Sequence, residues 1–229
     1  MKKSKLKAFL ENRKTLTTNI FKMYNHLPFN NKYQIKKNNK FINNGMMKNS
    51  KIIVKGVNNY IEIKFMCRLV NTVIEIYGDN NEIIIDENTL IINGDLYVED
   101  NNGRILIGKN TSICGRTHLA CIEGKSITIG ENCLLSSDIT MRTGDSHSIL
   151  ESESRKRINP SKDITIDNHV WIGNQVIILK GVHVNTDCIV GTGSIVTKTY
   201  NIKNAIIAGN PAKIIKENIN WCGERLEIE

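Results

Sequence analysis

From Ile166 onward an aliphatic residue returns at every sixth position: Ile166, Ile172, Ile178, Val184, Val190 and Val196. Four residues after the first five of these stand Val170, Val176, Val182, Cys188 and Ser194, all small or medium. Asp167, Gly173, Asn185 and Gly191 directly follow aliphatic positions. The same phase runs earlier through Ile107, Ile113 and Leu119, and through Ile129, Leu135 and Met141. A period of six suits neither an amphipathic helix nor an alternating strand. It suits short strands joined by tight turns, with the aliphatic residue pointing inward and its successor allowing the chain to turn. Three such strands make a triangular coil, and stacked coils make a parallel β-helix.

The repeat also divides the chain. Residues 58–107 carry paired aliphatics, such as Ile61 with Ile63 and Ile83 with Ile85, separated by Asn, Asp and Gly. They read as irregular coils of the same solenoid. Residues 5–27 place Leu6, Phe9, Leu10, Leu16, Ile20, Phe21, Tyr24 and Leu27 at helical spacing, which suits the polar cap a solenoid end needs. Two breaks interrupt the repeat: a short excursion at Ile122–Ser126, and the long polar stretch Arg142–Asp163. A polar loop on a rigid solenoid is where an active-site element is expected. The expected division is a basic N-terminal extension with a helical cap over 1–55, a β-helix over 56–200 with an extruded active-site loop at 142–163, and a C-terminal segment over 201–229.

Composition narrows the function classes. Aromatic residues make up only 6%, so the core must be aliphatic. The net charge of +8 is local: residues 1–55 hold 14 Lys or Arg against Glu11 alone, whereas the remainder is net −5. The basic stretch points either to an anionic partner, such as an acidic glycan, or to a drift in an Asn-rich segment. No zinc-finger spacing or RNP-like motif supports nucleic acid. No apolar run follows the basic start and none approaches a transmembrane length, so a cytoplasmic location is expected. The six cysteines form no C-x-x-C pair and read as reduced thiols.

Four stretches carry the chemistry: GDSHSI at 144–149, HVWIG at 169–173, VGTGSIVTK at 190–198 and IIAGNPAK at 206–213. In this order they resemble the hexapeptide-repeat acyltransferases, in particular the O-acetyltransferases that decorate capsules, polysialic acid and lipopolysaccharide. The resemblance is strong over about 105–216 and weak over 1–60. It implies a left-handed parallel β-helix, acetyl-CoA as donor, no metal, and a homotrimer with sites between neighbouring prisms.

His147 is the expected general base, because a neutral imidazole beside a hydroxyl can take the proton that water does not take at neutral pH. The family places its catalytic histidine at the matching position. Asp145, two residues earlier, either orients that imidazole or serves as a turn aspartate. Trp171 is either a packing residue or, as the resemblance implies, a neighbour of the acetyl group and the histidine. Arg142 and Ser146 are acceptor-binding candidates on the same loop. Gly173, Gly191, Gly193 and Ser194 would keep one face low for the pantetheine arm, with Lys198 and Lys213 meeting phosphates or simply solvated.

The expected activity is transfer of acetyl from acetyl-CoA to a sugar hydroxyl of a surface glycan or its precursor, directly and without an acetyl-enzyme. Acetylation of an amino sugar or a small xenobiotic on the same scaffold is the alternative. A zinc hydratase would need three histidine ligands, and the chain has no H-x-x-x-x-H pair. A non-enzymatic solenoid would need neither GNPAK nor the 142–163 loop.

Overall fold

The computed structural model describes residues 2–27 and 31–227, with side chains from Arg13 onward. One helix, α1 (Lys2–Asn25), precedes a succession of short strands. The strands stack into three sheets of eight, seven and nine strands. Sheet A runs from Asn31–Ile35 to Ile195–Val196, sheet B from Lys40–Asn43 to His183–Val184, and sheet C from Met46–Lys48 to Ala212–Lys216. The chain visits A, B and C in turn, and every pairing is parallel except the last. The architecture is a left-handed parallel β-helix, against the usual right-handed crossover preference.

The hexad aliphatics line the interior. Ile166, Ile172, Ile178, Val184, Val190 and Val196 are all buried, and so are Val170, Val176, Val182, Cys188 and Ser194. Each buried isoleucine or valine contributes roughly 1.5–3 kcal/mol, and the coils share one continuous core.

The upstream coils are regular rather than irregular. Ile52, Ile74 and Leu96 are in register on adjacent strands of sheet A, and side-chain bonds such as Asn81 to Gly103 recur across 22 residues. Downstream, Ile178 aligns with Val196, a coil of 18 residues, which is three hexads. The longer upstream coils carry strands of up to six residues, which breaks the six-residue pattern. Many of the turns use Asn in the left-handed region, including Asn58, Asn80 and Asn102, where Asn is among the few non-glycine residues tolerated. Asn59, Asn81 and Gly103 form a ladder in which each side-chain oxygen accepts the next coil's N–H. The asparagine content of the first third of the chain therefore has a structural use.

Sheet A begins at Asn31 and pairs with Ser50–Lys55, so the strand-forming part of residues 31–55 belongs to the solenoid. At the other end, Ile206–Gly209 still pairs in parallel with Ile189–Val190, and Ala212–Lys216 then folds back antiparallel around the Asn210–Pro211 turn. Helix α1 docks through Asn25, which is 5% exposed and bonds both Gly45 O and Met47 N–H. Its Leu16, Ile20 and Met23 are exposed. The side chains of Leu6, Phe9 and Leu10 lie outside the described residues. Among the described residues no helix is long and apolar enough to cross a membrane.

Candidate active site

The long loop leaves sheet A after Ile139–Arg142 and rejoins sheet B at Ile164–Ile166. It is a small hairpin, bridged antiparallel at Leu150 and Arg157 and closed by Ile158 N–H to Ile149 O at 2.9 Å. The two interruptions of the repeat meet at its foot. Glu123, from the short excursion, pairs with Arg157 at 2.5 Å and accepts Ser161 N–H at 3.2 Å. The Arg157 guanidinium holds the Glu123 carboxyl below the usual carboxylate range. Gly144 is buried in this junction, where a Cβ would come within 2.2 Å of Ser161 Oγ and 2.6 Å of Ile122 Cδ1.

His147 is exposed on the loop. Four other histidines have ring partners: His26 with Lys22 O, His118 with Asp95, His169 with Asp187, and His183 2.9 Å from Asp167. Among the described residues no hydrogen bond or ion pair engages the His147 imidazole. His118 Nδ1 is within hydrogen-bond distance of Asp95 Oδ2 of the neighbouring coil, whereas His183 Nε2 lies within ion-pair distance of Asp167 without forming a hydrogen bond.

Asp145 does not touch that imidazole. Its Oδ2 accepts from Lys180 Nζ and from Asn159 Nδ2 at 2.8 Å, and the Lys180 ammonium beside it holds its carboxyl below the usual range. Arg142 Nη2 donates to Ser146 Oγ at 2.8 Å, so the two acceptor candidates are joined. Ser146 has φ +63°, a conformation that persists only where surroundings enforce it.

Trp171 lies on sheet C, away from the A–B edge where the loop emerges. It is 37% exposed. Trp221, from the C-terminal segment, tilts against it at 6.1 Å, stacks flat on His169 at 4.3 Å and donates Nε1–H to His169 O at 2.9 Å. The chain's only two tryptophans are thus neighbours, a pairing with no signal in spacing because 50 residues separate them.

The expected CoA residues separate onto two edges. Gly173, Gly191, Gly193 and Ser194 lie at the turns from sheet C to sheet A. Gly193 N–H bonds Asn174 O, and Asn174 in turn bonds Ser137, so the glycines top a continuous corner. Below them a groove of about 770 Å³ runs past Gly94, Gly115, Arg116 and Asp138. Gly193 has φ +69° and open space around it. Ser194, in contrast, is fully buried, donating to Gly191 O and accepting Gly209 N–H. It ties the terminal hairpin to the coil and has no surface for a ligand. Lys213 sits on that hairpin, in register with Ala208. Lys198 stands on the opposite A–B edge, its Nζ 5.4 Å from the Tyr200 ring centroid.

Four of the cysteines are buried. Burial pushes the Cys67 thiol up to about 12, and those of Cys121 and Cys133 to about 11. These are thiols at neutral pH, and a thiol is not the nucleophilic form. Among the described residues no group of three His, Cys, Asp or Glu is placed to hold a metal ion.

The fold is thus a left-handed prism with a histidine-bearing loop on one edge and a glycine-lined corner on another. No family model matches the chain. The polysialic acid O-acetyltransferase of Escherichia coli O1:K1 / APEC is 44% identical over 96 residues, 42% of this chain and 31% of that protein. The enzyme of the same name from Neisseria meningitidis is 35% identical over 107 residues, 47% of this chain and 50% of that one. The matched region therefore spans 31% to 50% of the length of these curated relatives. The solved structure of the polysialic acid O-acetyltransferase OatWY is 31% identical with a TM-score of 0.74, covering 86% of this chain and 89% of that one. The chain belongs to the hexapeptide-repeat acyltransferase family that includes these polysialic acid enzymes.

Proposed function

We propose that the protein transfers an acetyl group from acetyl-CoA to a hydroxyl of a surface glycan or its precursor, with a sialic acid polymer as the first acceptor to test. The observation that carries this reading is His147: exposed on the extruded loop, its imidazole without a hydrogen bond or ion pair among the described residues, in a chain similar to enzymes named for this reaction on polysialic acid.

The imidazole takes the proton of the attacking hydroxyl as its oxygen adds to the thioester carbonyl. The oxyanion that forms is held by a backbone N–H of an adjacent coil. Collapse breaks the carbon–sulfur bond, and the imidazolium returns the proton to the departing CoA thiolate. No acetyl-enzyme is needed, in keeping with the buried, protonated thiols.

Within one chain His147 and Lys198 stand on the A–B edge, while Trp171 lies on sheet C and the glycines top the C–A corner. The reading therefore places each complete site between two chains of a homotrimer, one supplying the histidine edge and its neighbour the glycine corner with Trp171 and Lys213. The test is acetyl-CoA turnover, read by thiol release, against sialic acid polymers, neutral capsule fragments and amino sugars. Thiol release with the sialic acid polymer, and an O-acetyl ester in the product, is the expected result. Release with amino sugars alone, giving an amide, would replace the reading with N-acetylation.

A further inference from the structure

Resting on His147 as the base, we propose that Lys180, Asp145 and Asn159 form a clamp that sets the position of His147 through its main chain. Lys180 and Asn159 are then positioning residues.

Asn159 is the centre of the clamp. It is 6% exposed in a loop whose residues 151–158 are all exposed. Its Nδ2 donates to Asp145 Oδ2 and to His147 O, both at 2.8 Å. Its Oδ1 accepts Ile149 N–H at 2.8 Å and Arg157 Nε–H at 3.2 Å. A side-chain amide offers two donors and two acceptor sites, so all four are used. Three of these bonds go to Asp145, His147 and Ile149, alternate residues along the segment that carries the base. The fourth holds the returning limb of the hairpin.

Lys180 connects that segment to the rigid prism. It follows the strand Ile177–Ile178 of the next coil, so its position is set by the core rather than by the loop. Its ammonium donates to Asp145 Oδ2 and, at 3.1 Å, to Asn159 O. The Asp145 carboxylate is thereby paired with Lys180 and makes no bond to the histidine ring. Fastening the His147 carbonyl leaves the imidazole free to meet the acceptor hydroxyl. An orienting carboxylate on the ring would instead occupy one of its nitrogens. The backbone also needs holding, because Ser146 between Asp145 and His147 has a positive φ.

The test uses the full chain with Lys180→Met, Asn159→Ala, Lys180→Arg and His147→Ala variants, measuring kcat, CoA affinity by calorimetry and melting temperature. Misplacing a reacting group by about 1 Å costs on the order of 10²-fold in rate, so Lys180→Met and Asn159→Ala should each lower kcat by about that factor. CoA affinity and melting temperature should stay put. Lys180→Arg should recover most of the turnover, and adding Asp145→Asn to Lys180→Met should lower it no further. Lys180→Met keeps the methylene stem and decides the matter if Asn159→Ala fails to fold. Wild-type kcat in Lys180→Met alongside an inactive His147→Ala would overturn the clamp. So would a loss of turnover matched by a loss of CoA-binding capacity, which would signify unfolding. Wild-type turnover in His147→Ala would remove the base reading itself, and the purpose of the clamp with it.

Discussion

The partners of each polar side chain separate candidates that spacing treats alike. Five histidines are in the chain, and the DSH context marks His147 among them. The His147 imidazole has no hydrogen bond or ion pair among the described residues, while His118 and His169 bond aspartates and His183 lies 2.9 Å from one. Other assignments could not be read from residue type. Asp145 and His147 are two apart, yet the carboxylate turns to Lys180, 35 residues away. Ser194, expected to keep the face low for the pantetheine arm, is a buried tie between coils. Asn159 and Lys180 went unnoticed because a lone Asn in a polar loop and a lone Lys after a strand have no motif; only the folded hairpin brings them together. Direct transfer predicts that initial-rate plots against both substrates intersect. Parallel lines, or an acetyl group trapped on Ser146 or a cysteine, would contradict it. Trp171→Ala should lower turnover less than His147→Ala does, because in the proposed site the indole would orient the acyl group without moving a proton.

At the scale of elements, the downstream coils were legible because each inward position is one aliphatic residue in six. The upstream coils were harder to read, since strands of up to six residues give alternation inside a 22-residue period. The joining of the two interruptions was hidden as well: Glu123 and Arg157 lie 34 residues apart. That junction yields two predictions. Gly144→Ala puts a Cβ within 2.2 Å of Ser161 Oγ, so it should displace the loop and depress turnover. The melting temperature should stay close to wild type, because the prism core is untouched. The second concerns acid. Glu123 and Asp145 have folded-state pKa values below their unfolded ones, through Arg157 and Lys180 respectively. Their stabilisation is therefore complete above the unfolded value of about 4 and is lost as pH falls through the lower folded values. Amide exchange at Ile149 and Ile158 should stay protected from pH 7 to about 5 and open below the carboxylate range. Opening near pH 6 would contradict this assignment.

For the molecule as a whole, His147 and Lys198 stand on a different edge from the glycine corner and Trp171, which is why the proposed site spans two chains. Light scattering should give a mass near three times 25.9 kDa. Co-refolding inactive His147→Ala chains with Trp171→Ala chains should recover activity above either alone, since some interfaces then pair an intact histidine edge with an intact tryptophan face. A fully active monomer would refute the shared site. The role of His147 as base is tested by comparing acetyl-CoA turnover on a sialic acid polymer by wild type and His147→Ala, with CoA affinity measured on the same preparations. The variant should lose roughly 10²–10⁴ in turnover and bind CoA as tightly as wild type. Undiminished turnover in His147→Ala would contradict the account.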